Sequence, residues 1–188
     1  MFEEIDNRIK ESLSEKRYIH SVGVAKRAKF LAKIYGEDEE KAELAGIIHD
    51  MAKEMPKEEM LNYAKKNNIE VDEIERIQVG LLHGKIAANI AKCEYGFDDK
   101  MCFAIANHTT GNKCMDVFAK IIFLADITEE NRNFEDIEHI RSLSEEDLDE
   151  ACLYVIDWEI SRRVKNGELI HPNSIYFRTE MLSLKHWK

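Results

Sequence analysis

His49 and Asp50 close the stretch LAGIIHD, residues 44–50, whose earlier part is almost wholly apolar: Leu44, Ala45, Ile47 and Ile48. A carboxylate carried into a core costs several kcal/mol unless something pairs with it, so Asp50 implies a partner. Helical periodicity places further titratable groups in the same situation. His20 shares a face with Val24, Ala28, Leu31 and Tyr35, and His83 with Val79, Ile86, Ala87 and Ile90. His108 falls with Met101, Ala104 and Ile105, and Asp126 with Phe118, Ala119, Ile122 and Phe123. One such histidine is ordinarily a core residue bonded to a carbonyl. His20, His49, Asp50, His83, His108 and Asp126 on converging faces are instead the donor set of a metal site. Adjacent residues of a helix point about 100° apart, so His49 and Asp50 can serve one point only near a helix end, or through a carboxylate that bridges two metals. The expected partner of Asp50 is a cation.

Imidazole and carboxylate donors without thiolate suit iron, manganese, zinc or nickel. Water bound to such an ion ionises near neutral pH, which provides a hydroxide for in-line attack on phosphorus, with nearby cations stabilising charge on the phosphoryl oxygens. Asp50 and Asp126 are both placed to orient that water or take its proton. His83 and His108 either hold a second metal or donate to phosphate and leaving group. Lys53 lies three residues after Asp50, and Arg132 closes ADITEENR with a fork suited to a pyrophosphate. His171-Pro172-Asn173-Ser174 reads as a helix start, with Pro early and Asn or Ser capping, and free N–H groups there suit an anion. His139, in the polar EDIEHIRS stretch, and His186 near the C-terminus read as solvent-facing.

The elements that must carry these residues are helices. Helices are expected over about 2–12 and 15–35, the second stopped by Gly36, and from Asp38 as cap to near Asp50. Others follow in KEEMLNYAKKNN after Pro56, in GLLHGKIAANIAKCEYG ending at Gly96, in DDKMCFAIANHTTG closed by Gly111, and in MDVFAKIIFLADI. SEEDLDEACLYVIDWEISRRVKNG reads as one long helix from Ser144 to Gly167, and a last helix follows Pro172. With 2 prolines, 8 glycines and no run of period two, the fold class is all-α, in a single domain spanning residues 1–188.

The net charge of −10 disfavours a nucleic-acid groove or docking on an anionic membrane, while leaving room for a local basic pocket for a small phosphorylated ligand. Cys93, Cys102, Cys114 and Cys152 form no CxxC pair and read as reduced, buried or half-buried thiols, hence a reducing compartment. The N-terminal MFEEIDNRIK has no apolar h-region, and no stretch approaches the length of a membrane span. The expected location is the cytoplasm.

The order H…HD…H…H…D, here His20, His49-Asp50, His83, His108 and Asp126, resembles the HD-domain metal-dependent phosphohydrolases. RYIHSVGVAKRAKFLAKIYGEDEEKAELAGIIHDMAKEMP, IANHTTG, KIIFLADITEENR and LIHPNSI are similar to the YqeK branch, the symmetrical bis(5′-nucleosyl)-tetraphosphatases, over residues 17–175. The resemblance implies an all-α orthogonal helical bundle, iron as metal, and cleavage of diadenosine tetraphosphate into two ADP. It implies His20, His49, Asp50 and Asp126 as ligands of one metal, with a second ion at His83 and His108 left open, as is a homodimer. It matches Lys53, His83, His108, Thr109 and Arg132 with phosphate contacts. It matches Ile170, His171, Pro172, Asn173, Ser174 and Ile175 with the stretch that closes over the nucleotide. Ser21 stands where Thr is frequent after the first His, so a hydroxyl is kept. Two alternatives remain: an HD phosphohydrolase of another nucleotide, and a non-catalytic nucleotide-binding regulator, which the intact set of six residues disfavours.

Overall fold

The computed structural model describes residues 1–186, with side chains described through Leu184, and contains no strand among them. The helices are α1 (Phe2–Ser12), α2 (Glu15–Tyr35), α3 (Glu39–Ile48), α4 (Lys57–Lys66), α5 (Glu73–Ile77), α6 (Leu82–Tyr95), α7 (Asp99–Asn107), α8 (Val117–Thr128), α9 (Ile137–Glu146), α10 (Leu148–Asn166) and α11 (Pro172–His186). A 3₁₀ turn, Val79–Leu81, leads into α6. The expected punctuation holds. Gly36, Gly96 and Gly167 end α2, α6 and α10 in the left-handed conformation, and Asp38 accepts from the backbone N–H groups of Glu40 and Lys41.

α2 is the axis of the site. It packs against α3 and α8, while α7 packs against α6 and α8, so the helices that carry the chemistry surround one core. The faces read from periodicity are the buried ones: Val24, Ala28 and Leu31 on α2, Ile86, Ala87 and Ile90 on α6, and Phe118, Ala119 and Ile122 on α8.

Three local expectations need correction. The run 144–167 is not one helix. Asp147 is extended at φ −143° and accepts from the N–H groups of Asp149 and Glu150, so it ends α9 and caps α10. Ser144 lies inside α9, where its hydroxyl donates to the Arg141 carbonyl and accepts from Arg27. α7 ends at Asn107 rather than Gly111, and His108-Thr109-Thr110 form a turn. The cysteines divide: Cys152 is buried and Cys102 half-buried, but Cys93 and Cys114 are exposed. His139 is exposed as expected, whereas the side chain of His186 lies outside the described residues.

Candidate metal centre and phosphate site

Most of the predicted ligands stand at helix ends, where a side chain can reach past its own element. His49 caps α3 and Asp50 follows it, His83 lies in the first turn of α6, His108 caps α7, and Asp126 sits in the last turn of α8. His20 comes from early in α2. The backbone tightens after α3, where Met51 N–H donates to Ile48 O and Lys53 N–H to Asp50 O. That end-of-helix turn is what lets adjacent His49 and Asp50 address one place. The structure brings all six residues together, and five of them are buried, with Asp126 partly so.

Asp50 is the hub. Its Oδ1 lies 3.0 Å from Nε2 of His83 and 3.6 Å from Nε2 of His108. Its Oδ2 lies 3.8 Å from Nε2 of His20 and 3.7 Å from Nε2 of His49. Asp126 Oδ1 is 3.0 Å from Nε2 of His20, and His83 and His108 face each other through Nε2 at 3.0 Å.

The other ring nitrogen of each histidine is already committed. Nδ1–H of His49 donates to Gly46 O at 2.7 Å, that of His83 to Gly80 O at 2.5 Å, and that of His108 to Ile105 O at 2.7 Å. His20 instead donates Nδ1–H to the Glu129 carboxylate at 3.2 Å. Each of these bonds makes Nε2 the lone-pair nitrogen and aims it inward, which is how metal-ligating histidines are held. The centre is therefore a gathering of acceptors: four imidazole lone pairs and two carboxylates. Among the described residues, His20 Nε2, His49 Nε2 and Asp50 Oδ1 are buried without any hydrogen-bond partner. Orphaned acceptors at such spacing repel one another unless a cation lies among them. The donor set therefore fits a divalent metal, as do the three-residue groupings His20–His49–Asp50, His49–His108–Asp126 and Asp50–His83–His108.

The protonation states of His49, His83 and the two carboxylates agree, while His20, in the centre as it stands, is drawn towards its protonated form by its acidic neighbours. Burial drives the His49 imidazole down to about 3, so it is neutral. Burial alone would raise the carboxyls of Asp50 and Asp126, but the surrounding imidazoles, with Lys53 for Asp50 and Arg132 for Asp126, hold both well below the usual range. Burial also lowers His83, while in His20 the contacts with Asp126 and Glu129 outweigh burial and raise it.

Cations ring the centre. Lys53 Nζ lies 3.2 Å from His83 Nε2 and 3.7 Å from Asp50 Oδ1. The hydroxyl of Thr109 lies 3.0 Å from His108 Nε2. Arg132 donates to Asp126 Oδ1 at 2.7 Å and to the Asp126 carbonyl at 2.9 Å, so it clamps that residue as well as facing the opening. Periodicity did not reveal three other contributors. Arg17 donates to Asp50 Oδ2 at 3.0 Å. Glu129 orients His20, and Gly23 makes room for it, because a Cβ there would lie 2.4 Å from Glu129 Oε2. Arg141 donates to the carbonyls of Thr128, Glu129 and Arg132 and so fixes the turn after α8.

The stretch Ile170–Ile175 docks beside this centre. Ser174 donates its hydroxyl to Thr110 O at 2.9 Å, next to Thr109. His171 is buried and, rather than Asn173 or Ser174, caps α11: its Nδ1 accepts from Asn173 N–H at 3.2 Å. That leaves Nε2–H to donate to Asp72 at 2.7 Å, at the N-terminus of α5. Pro172 and Ile175 are exposed, and Ile170 and Asn173 half-buried.

A family model described as HD domain matches residues 17–131. The chain is 37% identical over 175 residues, 93% of either chain, to a protein of Halalkalibacterium halodurans named bis(5′-nucleosyl)-tetraphosphatase, symmetrical. It is 35% identical over 167 residues, 88% of this chain and 89% of the other, to a Bacillus subtilis protein of the same name. A crystal structure from Clostridium acetobutylicum, described as a predicted HD superfamily hydrolase involved in NAD metabolism, superposes with a TM-score of 0.94 over 97% of both chains at 36% identity.

Proposed function

The chain belongs to the HD-domain family and, within it, to the symmetrical bis(5′-nucleosyl)-tetraphosphatases, and from that premise we propose that it is a metal-dependent hydrolase cutting diadenosine tetraphosphate at its centre into two ADP. The observation that carries the reading is the set of inward-facing, unpartnered acceptors: His20 Nε2, His49 Nε2 and Asp50 Oδ1. His20, His49, Asp50 and Asp126 are the residues that would hold the metal, with iron the preferred ion and manganese, zinc or nickel compatible with the same donors. The ion supplies a Lewis acid and an ionised water near neutral pH.

The chain's own groups do the rest. Asp50 and Asp126 stay anionic and accept a proton or orient a water from either side. Lys53 offers a positive charge at the His83 edge, and Arg132 at the Asp126 edge, for the phosphoryl oxygens of the substrate. Asp50 offers one oxygen to the His20–His49 side and the other to the His83–His108 side. His83 and His108 are thus available either to a second ion or as partners of the phosphate. Thr109 and Ile170–Ile175 would cover one nucleotide half. We take residues 1–188 as one unit in a cytoplasmic setting, a reading supported by four free thiols. Among the described residues no helix is long and apolar enough to cross a membrane.

Asp50→Ala tests the reading. It removes the residue facing every imidazole of the centre, so bound metal and turnover should both be lost. Full metal occupancy in that variant would contradict it.

A further inference from the structure

A symmetrical substrate has two identical halves, one on each side of the central bridging oxygen at which it is cut. Asp50 divides the site the same way. Oδ1 faces His83, His108 and Lys53, and on that side lie Thr109 and the Ile170–Ile175 stretch. Oδ2 faces His20, His49 and Arg17. On this second side opens a cleft of about 420 Å³, lined by Lys16, Arg17, Ile19, His20, Asn131 and Arg132, with the acids Glu15 and Glu129. A volume of this order suits a nucleotide-sized ligand.

The lining is built for an anion. Three cations gather at one opening of a chain whose net charge is −10. Glu129 is engaged by His20 and Asn131, which leaves Glu15 at the rim. Arg17 is about one-third exposed at 34%, and only its NH1 is bonded among the described residues, so its other nitrogens remain to donate. His20, buried and unpartnered at Nε2, forms the inner wall. Ile19 is 46% exposed, an apolar surface within reach of a nucleoside.

We propose that this cleft receives the second nucleoside diphosphate half of the substrate, with Lys16 and Arg17 on its phosphates and Ile19 against its nucleoside. The assignment rests on the functional reading above and adds where the leaving half goes. A water oxygen bonds to the phosphorus next to the central bridging oxygen in the half held beside Thr109. The bond from that phosphorus to the central bridging oxygen breaks, and its electron pair stays on that oxygen. The oxygen becomes a terminal phosphate oxygen of the cleft-held half, and the protons of water pass to the products or solvent. Negative charge thus builds on the half that Arg17 faces.

Lys16 and Ile19 are exposed, so the full-length double variant K16E/I19E should fold. With metal-loaded protein, equilibrium dialysis should count two ADP per wild-type chain and one per variant chain. KM for diadenosine tetraphosphate should rise about tenfold or more while metal content is unchanged, the signature of lost ground-state binding. R17M should lower kcat, and R17K should restore part of it at equal metal content. One ADP per wild-type chain overturns the assignment, as does unchanged KM in K16E/I19E while the wild type still releases two ADP. A wild type that releases no ADP pair overturns the functional reading, and the cleft assignment with it.

Discussion

Nδ1 of His20 and Oε1 of Glu129 lie 3.2 Å apart, joining residues 109 positions apart in the chain and fixing which nitrogen of His20 faces the centre. Glu129→Gln keeps an acceptor but removes the charge behind the imidazole. Metal affinity should fall by about tenfold or more, in the range expected for such supporting partners. Gly23→Ala should act in the same direction, because its Cβ would collide with that carboxylate. Metal titration of the purified variants checks both, and wild-type affinity in either would show that Glu129 does not support the ligand.

Arg132 is held by Asp126 through two bonds, one to the carboxylate and one to the carbonyl. Arg132→Lys keeps the charge and loses the fork. kcat/KM should drop about a hundredfold, equivalent to about 2.7 kcal/mol, with a smaller loss of metal affinity. Kinetics and metal analysis on the same preparation separate the two effects. Unchanged values in both would return Arg132 to an ordinary surface arginine.

His171 ties the start of α11 to Asp72 at 2.7 Å. Burial pushes the Asp72 carboxyl up, but the Glu75 N–H and His171 outweigh it and hold the group below its usual value. A carboxyl lowered in the folded state stabilises above its unfolded pKa, and that contribution fades as pH falls through the folded value. The tie should therefore persist through the ordinary carboxylate range and weaken only in more acidic solution. Asp72→Asn should raise KM at neutral pH more than it lowers kcat. An Asp72→Asn variant with wild-type KM would show that the tie does not position the substrate.

Gly111 sits at φ +65°, and a Cβ there would lie 2.4 Å from the Phe177 ring. Both the backbone and the contact penalise a side chain. Gly111→Ala should destabilise the fold by about 2 kcal/mol or more, a fall in Tm of about 4–8 °C for a chain of this size. Thermal unfolding measures it directly, and an unchanged Tm would mean that the turn after α7 relaxes.

What the sequence made legible follows from period and punctuation. His20, His83, His108 and Asp126 share faces with apolar residues, and those faces are buried, so their convergence is legible in the sequence itself. Glycines and acidic caps marked most helix ends for the same local reason. α9 was hidden because its sequence is polar and runs into SEEDLDE, where only the extended backbone of Asp147 separates two helices. Arg17, Glu129 and Arg141 were hidden because each works through a partner distant in the chain or through backbone carbonyls, and neither leaves a periodic trace. The capping role of His171 depends on Asp72, 99 residues away.

The most direct test of the central claim is product analysis. Metal-loaded protein is given diadenosine tetraphosphate in ¹⁸O-labelled water, and the early products are separated by chromatography and weighed. ADP alone is expected, with one of each pair of ADP molecules carrying a single labelled oxygen, and no turnover in Asp50→Ala. Early ATP and AMP, or turnover that survives in the metal-free protein, would contradict it.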